Sequence, residues 1–316
     1  MIYAGIDEAG YGPLLGPLCV GASAFRIANA PAPVAVDLWK LLASGVCKKP
    51  KDKRRRIAIA DSKKLKSNGS APLVHLERGV LACSRDEGPS TDADLFTSLG
   101  VHSRATRSTP WHAHPQSLPA AHTHDEIAIA RNVLHGALAR NEASIEHLSV
   151  AALDAPAFNA LYESLRNKAR VNMSLIFDAI RAIDLLRGDE PAFIAVDRQG
   201  GRSDYATELQ THVARGAEVR VLHEDNERST YAVGSDLVLS FEVEAEDRHL
   251  PVALASMSAK YVRELSMRRL NAFFMSRKEN LHPTAGYVED GRRYLAEVKP
   301  LLAAESIPER DFVRMA

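Results

Sequence analysis

The chain has three cysteines in 316 residues, and Cys19, Cys47 and Cys83 lack the spacing of a thiolate metal site. So few cysteines exclude a disulfide scaffold and point to a reducing compartment. Aromatic residues make up 6% of the chain, and none interleaves with its densest basic run, which argues against a single-strand stacking platform there. Net charge is also lacking: 40 Lys and Arg balance 40 Asp and Glu. With no global field, any grip on a polyanion must be local. No apolar run is long enough to span a bilayer, and the chain opens on a strand-like segment rather than a signal peptide, so a cytoplasmic protein without membrane contact is expected.

What the chain does have is acids at the ends of apolar runs. Asp7 and Glu8 sit side by side in MIYAGIDEAGYGPLLGP, where a strand meets a turn carrying Gly10, Gly12 and Gly16. Adjacent carboxylates at the end of a buried strand are costly to desolvate unless positive charge compensates them, and a divalent cation is the commonest compensation. A second acid, Asp197, ends the apolar stretch Ala192 to Val196 and precedes the turn Arg198 to Gly201. Strand ends of this kind are the ordinary place for a ligand-binding acid in an α/β sheet. The third acidic segment, FEVEAEDRHLPVALASMSAKYVREL, alternates as a strand up to Asp247 and takes helical spacing from Val252 onward. Glu246 and Asp247 compete there for one site position.

Six segments in one order resemble type 2 ribonuclease H, that is, ribonuclease HII and the catalytic subunit of its archaeal and eukaryotic relatives. They are GIDEAGYGPLLGP; ADSKKL at 60 to 65; NMSLIFDAI from Asn172; AVD at 195 to 197; ALASMSAKYVREL; and TAGYVEDGRRYL at 284 to 295. The last is similar to a segment of the archaeal and eukaryotic branch. The turn departs from the family's Gly-Arg-Gly by reading Gly10-Tyr11-Gly12, and the stretch from about 83 to 145 has no recognised counterpart.

This resemblance implies an α/β ribonuclease H-like fold, with a mixed central sheet flanked by helices, a C-terminal helical extension and an insertion. It implies a site built by Asp7, Glu8, Asp197 and a fourth acid. Counting back from Lys260 without a gap gives Glu246, whereas the family's spacing from the acid to Pro251 gives Asp247; Asp247 agrees in residue type and is preferred. Carboxylates are hard oxygen ligands, so Mg²⁺ or Mn²⁺ is the expected cofactor, with two ions when substrate is bound. The implied partner is an RNA/DNA hybrid or duplex DNA containing a ribonucleotide, cut by a protein expected to be a monomer. Gly10, Tyr11 and Gly12 are expected near the ribose and phosphate, Lys63, Lys64 and Lys260 near backbone phosphates, and Tyr287 against the following sugar.

Two further stretches stand apart. KKPKDKRRR at 48 to 56 holds seven basic residues in nine and suits duplex phosphates. Residues 84 to 125 are rich in Ser, Thr, Pro, Asp and His, with weak periodicity, and are expected to form an insertion or mobile loop within a single domain of residues 1–316. Their histidines, His102, His112, His114, His122 and His124, lack the helical spacing of a metal site. Strands are expected near 2–7, 16–25, 148–153, 192–197 and 218–223. Helices are expected near 126–139, 155–168, 173–187, 204–214, 253–275 and 291–302. The part from 253 to 316 is expected to complete the substrate site.

Overall fold

The computed structural model describes residues 1–28, 30, 32–52, 54–65, 73–84, 88–101 and 109–315. In chain order the first half holds β1 (Ile2–Ala9), β2 (Leu18–Ile27), α1 (Leu38–Leu41), β3 (Val46–Cys47), β4 (Ile57–Ala58), α2 (Val74–Cys83), α3 (Asp92–Ser98), α4 (His124–Arg140), β5 (Ala143–Leu153) and α5 (Ala155–Leu165). The second half holds α6 (Lys168–Arg187), β6 (Ala192–Asp197), α7 (Ala206–His212), β7 (Val219–Glu224), β8 (Arg228–Val233), β9 (Leu237–Glu242), α8 (Leu250–Met275), α9 (Val288–Ala304) and α10 (Glu309–Phe312). Seven strands form one mixed sheet in the order β5-β2-β1-β6-β9-β8-β7. β1 runs parallel to β6 and β6 to β9, while the outer neighbours are antiparallel. The expectation of a mixed sheet between helices is met.

Strand alternation sorts the core into two layers. On β1, Ile2, Ala4 and Ile6 face the layer that contains Ile176, Ile180 and Ile183 of α6, whereas Tyr3 faces the layer that contains α2, α4 and much of α8. Parity therefore sends Asp7 toward α8 and Glu8 to the opposite side. Asp197 shares the parity of Phe193 and Ala195, so it lies on the α8 side of β6, next to Asp7 in the parallel register.

α8 can approach because two glycines face it. A Cβ at Gly5 would lie 2.1 Å from the Val252 nitrogen, and one at Gly21 would lie 2.2 Å from the Ala255 oxygen. Any side chain at either position would push the helix off the sheet. The close approach is what brings Ser256 to the level of Asp7.

Two expectations fail in the middle of the chain. The strand expected to run up to Asp247 stops at Glu242; Glu244 turns left-handed at φ 53°, and Ala245–Asp247 form a 3-10 turn. A reversal of direction there outweighs the local alternation of apolar and acidic residues. The described residues of 84–125 are not a mobile loop. Asp92, fully buried in α3, pairs with Arg269 of α8 and accepts from the Gln116 backbone at 2.8 Å. Trp111 packs edge-on against Phe273 and Phe312 in a third core cluster with Phe274 and Tyr294. Glu77 of α2 is buried and accepts from Ala120, Ala121 and Tyr261, each at 2.8 Å, with His122 at 3.1 Å. The segment is polar because it supplies these buried ties. His102 lies outside the described residues.

Candidate active site

At the ends of β1 and β6 a cavity of about 520 Å³ opens, lined by Asp7, Glu8, Asp197 and Glu246. The four acids come from two parallel strands and the turn after a third, so the sheet's topology gathers residues that are 239 positions apart at the extremes (7 to 246). Asp7 is 6% exposed and its Oδ1 accepts from the Glu8 nitrogen at 2.7 Å. Asp197 Oδ1 accepts from the Ala245 nitrogen at 3.0 Å, which ties the acid of β6 to the turn that carries Glu246. Glu8 Oε2 accepts from Gln199 at 3.0 Å. Asn172, fully buried on α6, has no hydrogen-bond partner for either amide atom, although its amide acts on the Glu8 carboxyl.

Electrostatics mark the cluster as only partly compensated. Burial, then the charges of Glu8 and Asp197, hold the Asp7 carboxyl well above the usual carboxylate range. Burial also raises Glu8, with Asn172 and Lys63 opposing the shift. Asp197 is pushed up to about 7 by burial and by Glu246. Glu246 is 7% exposed and its Oε2 has no partner. Hard, crowded oxygens with one buried and orphaned fit a divalent cation in their chemistry. They converge on the cavity without closing on one point: among the described residues no three His, Cys, Asp or Glu side chains form a ready ligand group.

Asp247, preferred on residue type, is not among the residues lining the cavity, whereas Glu246 is. The Asp247 carboxylate is about 40% exposed and accepts from Lys64 Nζ at 2.7 Å. The turn that replaces the expected strand end directs Glu246 inward and Asp247 outward. Lys64 is thereby spent on Asp247, and Lys48 of the basic run donates to the Asp247 carbonyl at 2.7 Å while lying over Trp39. Arg56 is likewise engaged, by Asp52, whereas Lys49, Lys51, Arg54 and Arg55 are exposed and Lys53 lies outside the described residues.

Lys63 lines the cavity. Burial opposes its charge, but Asp61, Glu246, Asp7 and Asp197 outweigh that and raise its pKa. Lys260 also lines it, bound to Glu264 at 2.7 Å. Gly10 and Tyr11 form one wall, while Gly12 is exposed beside them. Gly10 adopts φ +84°, and a Cβ there would lie 2.6 Å from the Pro17 oxygen and 2.7 Å from the Arg263 side chain. Tyr287 is 54% exposed on the cavity's rim. Its loop is held by Asp290, which accepts from Thr284 Oγ1 at 2.6 Å, and by the Gly286 carbonyl, which accepts from Leu14 at 2.8 Å.

No protein-family model matches the chain, and no curated protein matches it. Solved structures do. A ribonuclease HII from Archaeoglobus fulgidus, determined in a complex with PCNA, is similar over 100% of this chain and 94% of its own, with 17% identity and a TM-score of 0.44. Ribonuclease H2 from Pyrococcus horikoshii is similar over 99% and 92%, with 14% identity and a TM-score of 0.41. Bst ribonuclease HIII in complex with Mn²⁺ is similar over 99% of this chain but 66% of its own length, with 15% identity and a TM-score of 0.44. These three similar structures are ribonucleases HII, H2 and HIII, at identities too low to transfer the role of any residue.

Sequence reasoning overlooked Ser256, Glu264 and Arg268, which line the cavity from α8. The signal was available: with Lys260 they recur at every fourth position, one stripe of a helix.

Proposed function

We propose that the chain is a metal-dependent endoribonuclease that cuts the RNA strand of RNA/DNA hybrids, or at ribonucleotides embedded in duplex DNA, and leaves 5′-phosphate and 3′-hydroxyl ends. The single observation that carries the reading is the convergence of Asp7, Glu8, Asp197 and Glu246 on one cavity, with the carboxyl pKa values of Asp7, Glu8 and Asp197 raised and a Glu246 oxygen orphaned. A cluster of this kind repels phosphate by itself, so a pure nucleic-acid binder gains nothing from it.

In this reading the four acids hold one or two Mg²⁺ or Mn²⁺ ions. When bound, the ions activate the attacking water and stabilise the departing oxygen. Asp197, whose carboxyl is pushed up to about 7, would hold the cation in its deprotonated form. Lys63 lines the same cavity, screens part of the acid charge and would meet a phosphate oxygen there. The Gly10 turn lets backbone approach the ribose without a side chain in the way. Tyr287 offers a flat ring to a sugar, which favours a deoxyribose where a 2′-hydroxyl would crowd.

The test compares a long RNA/DNA hybrid, a DNA duplex with one ribonucleotide and an all-DNA duplex, each with Mg²⁺ and with Mn²⁺. Cutting confined to the first two supports the reading. Equal cutting of all three contradicts recognition of the 2′-hydroxyl, and no cutting of any removes the enzyme.

A further inference from the structure

The cavity's cations are not equivalent. Lys63 faces the four acids and serves as their counterion. Lys260 is bound to Glu264 at 2.7 Å, and Lys64, expected at a phosphate, is bound to Asp247. Glu264, the one acid on the α8 stripe, is neutralised by Lys260 and by buried Arg263, whose Nη1 lies 3.6 Å from it. Among the described residues two cavity-lining cations have no side-chain ion pair or hydrogen bond, Lys63 beside the acids and Arg268, and only Arg268 lies away from the acids.

Arg268 also has a defined place. Ser256, Lys260, Glu264 and Arg268 follow one another at intervals of four along α8, all facing the cavity. Ser256 lines the cavity with Asp7 and lowers the pKa of the Asp7 carboxyl, while its Oγ donates to Ser62 Oγ at 3.3 Å, so the stripe starts at the acids. At 1.5 Å of rise per residue, Arg268 lies about 18 Å along the helix from Ser256. A nucleic-acid duplex advances about 3.4 Å per nucleotide of one strand, so that distance corresponds to about five nucleotides.

We propose that Arg268 is a substrate-binding residue: it clamps a backbone phosphate about five nucleotides from the scissile bond of a duplex laid along α8. This rests on the nuclease reading of the same cavity. A guidanium fork suits the task because it stays charged and presents paired donors to phosphate oxygens. The contact is electrostatic and blind to base sequence, so it sets affinity and register and leaves the chemical step to the acids.

The test measures hybrid binding in an Asp7→Asn background, which blocks cutting, with and without Arg268→Ala or Arg268→Lys. Arg268→Ala should raise Kd about tenfold and reduce the salt dependence of binding by about one released counterion, and Arg268→Lys should restore the salt slope. On hybrids trimmed to end within about three base pairs of the cut on the α8 side, the two proteins should bind alike. Equal Kd and equal salt slope on the full-length hybrid overturn the proposal, as does an Arg268 effect that survives trimming from either side. Failure of the nuclease reading looks different: the unmutated protein then cuts no hybrid with Mg²⁺ or Mn²⁺, whatever Arg268 contributes to binding.

Discussion

Arg314, two residues from the end of the sequence, donates through Nη2 to the Gly10 carbonyl at 2.7 Å and to the Pro13 carbonyl. The chain's last residues therefore fix the first turn, beside the acids. The strap is continuous, since Leu15 bridges to Val313, the Arg314 nitrogen donates to Leu14, and Asn159 accepts from the Met315 nitrogen. Arg314 is 3% exposed, and burial together with Arg263 brings its pKa down to about 10. Replacing Arg314 by Ala strands two carbonyls and should cost about 1–3 kcal/mol in urea unfolding. It should also raise KM for a hybrid substrate as the turn loosens. Unchanged stability and unchanged KM would show that the strap merely covers the turn.

The fourth acid can be assigned by mutation. Glu246→Gln should lower hybrid cleavage by at least about a hundredfold, as expected when a group that stabilises the transition state is lost. Asp247→Asn should stay near the parent rate, because it breaks only a half-exposed pair with Lys64, worth about 0–1 kcal/mol. Steady-state rates of the two variants decide it, and the reverse order of effects would restore Asp247 to the site.

Much of this was legible in the sequence because strand ends with acids are local patterns. Asp7, Glu8 and Asp197 could be placed from alternation and turn residues alone. Glu246 could not, because its inward direction depends on Glu244 adopting φ 53° and on the Ala245 nitrogen binding Asp197, a contact across 48 positions. β8 was missed for a similar reason: its residues Arg228 to Val233 are polar at the start and become a strand only by pairing with β9. The segment from 84 to 125 looked like a loop because its work is done by buried polar side chains rather than by apolar periodicity.

That segment yields a stability prediction. Asp92 and Arg269 have side chains 0% and 4% exposed, so Asp92→Ala leaves a buried guanidinium unpaired. Such a loss costs about 3–5 kcal/mol. Denaturant unfolding should show a fall of that size, and deletion of residues 84 to 125 should abolish folding by uncovering α8. A deletion variant that folds and unfolds cooperatively would show that the core does not need the segment.

A pH prediction follows from Glu242, buried at the end of β9. Burial works against its charge, but His249 at 3.1 Å, Ser240 and Arg248 outweigh it and bring the carboxyl down to about 2. A depressed carboxyl pKa contributes stability above the unfolded value of about 4.5, and that contribution is lost as pH falls toward 2. Glu242→Gln should therefore destabilise the protein at neutral pH, by an amount on the order of a few kcal/mol, and converge with the parent at acid pH. Thermal unfolding across that range checks it; a constant difference between the two proteins would exclude ionisation as the cause.

The most direct measurement is anomalous diffraction from crystals soaked in Mn²⁺. The account predicts density at the cavity, with ligands drawn from Asp7, Glu8, Asp197 and Glu246 and none from Asp247. An empty cavity at saturating Mn²⁺, or an ion held by Asp247 outside it, would contradict the account.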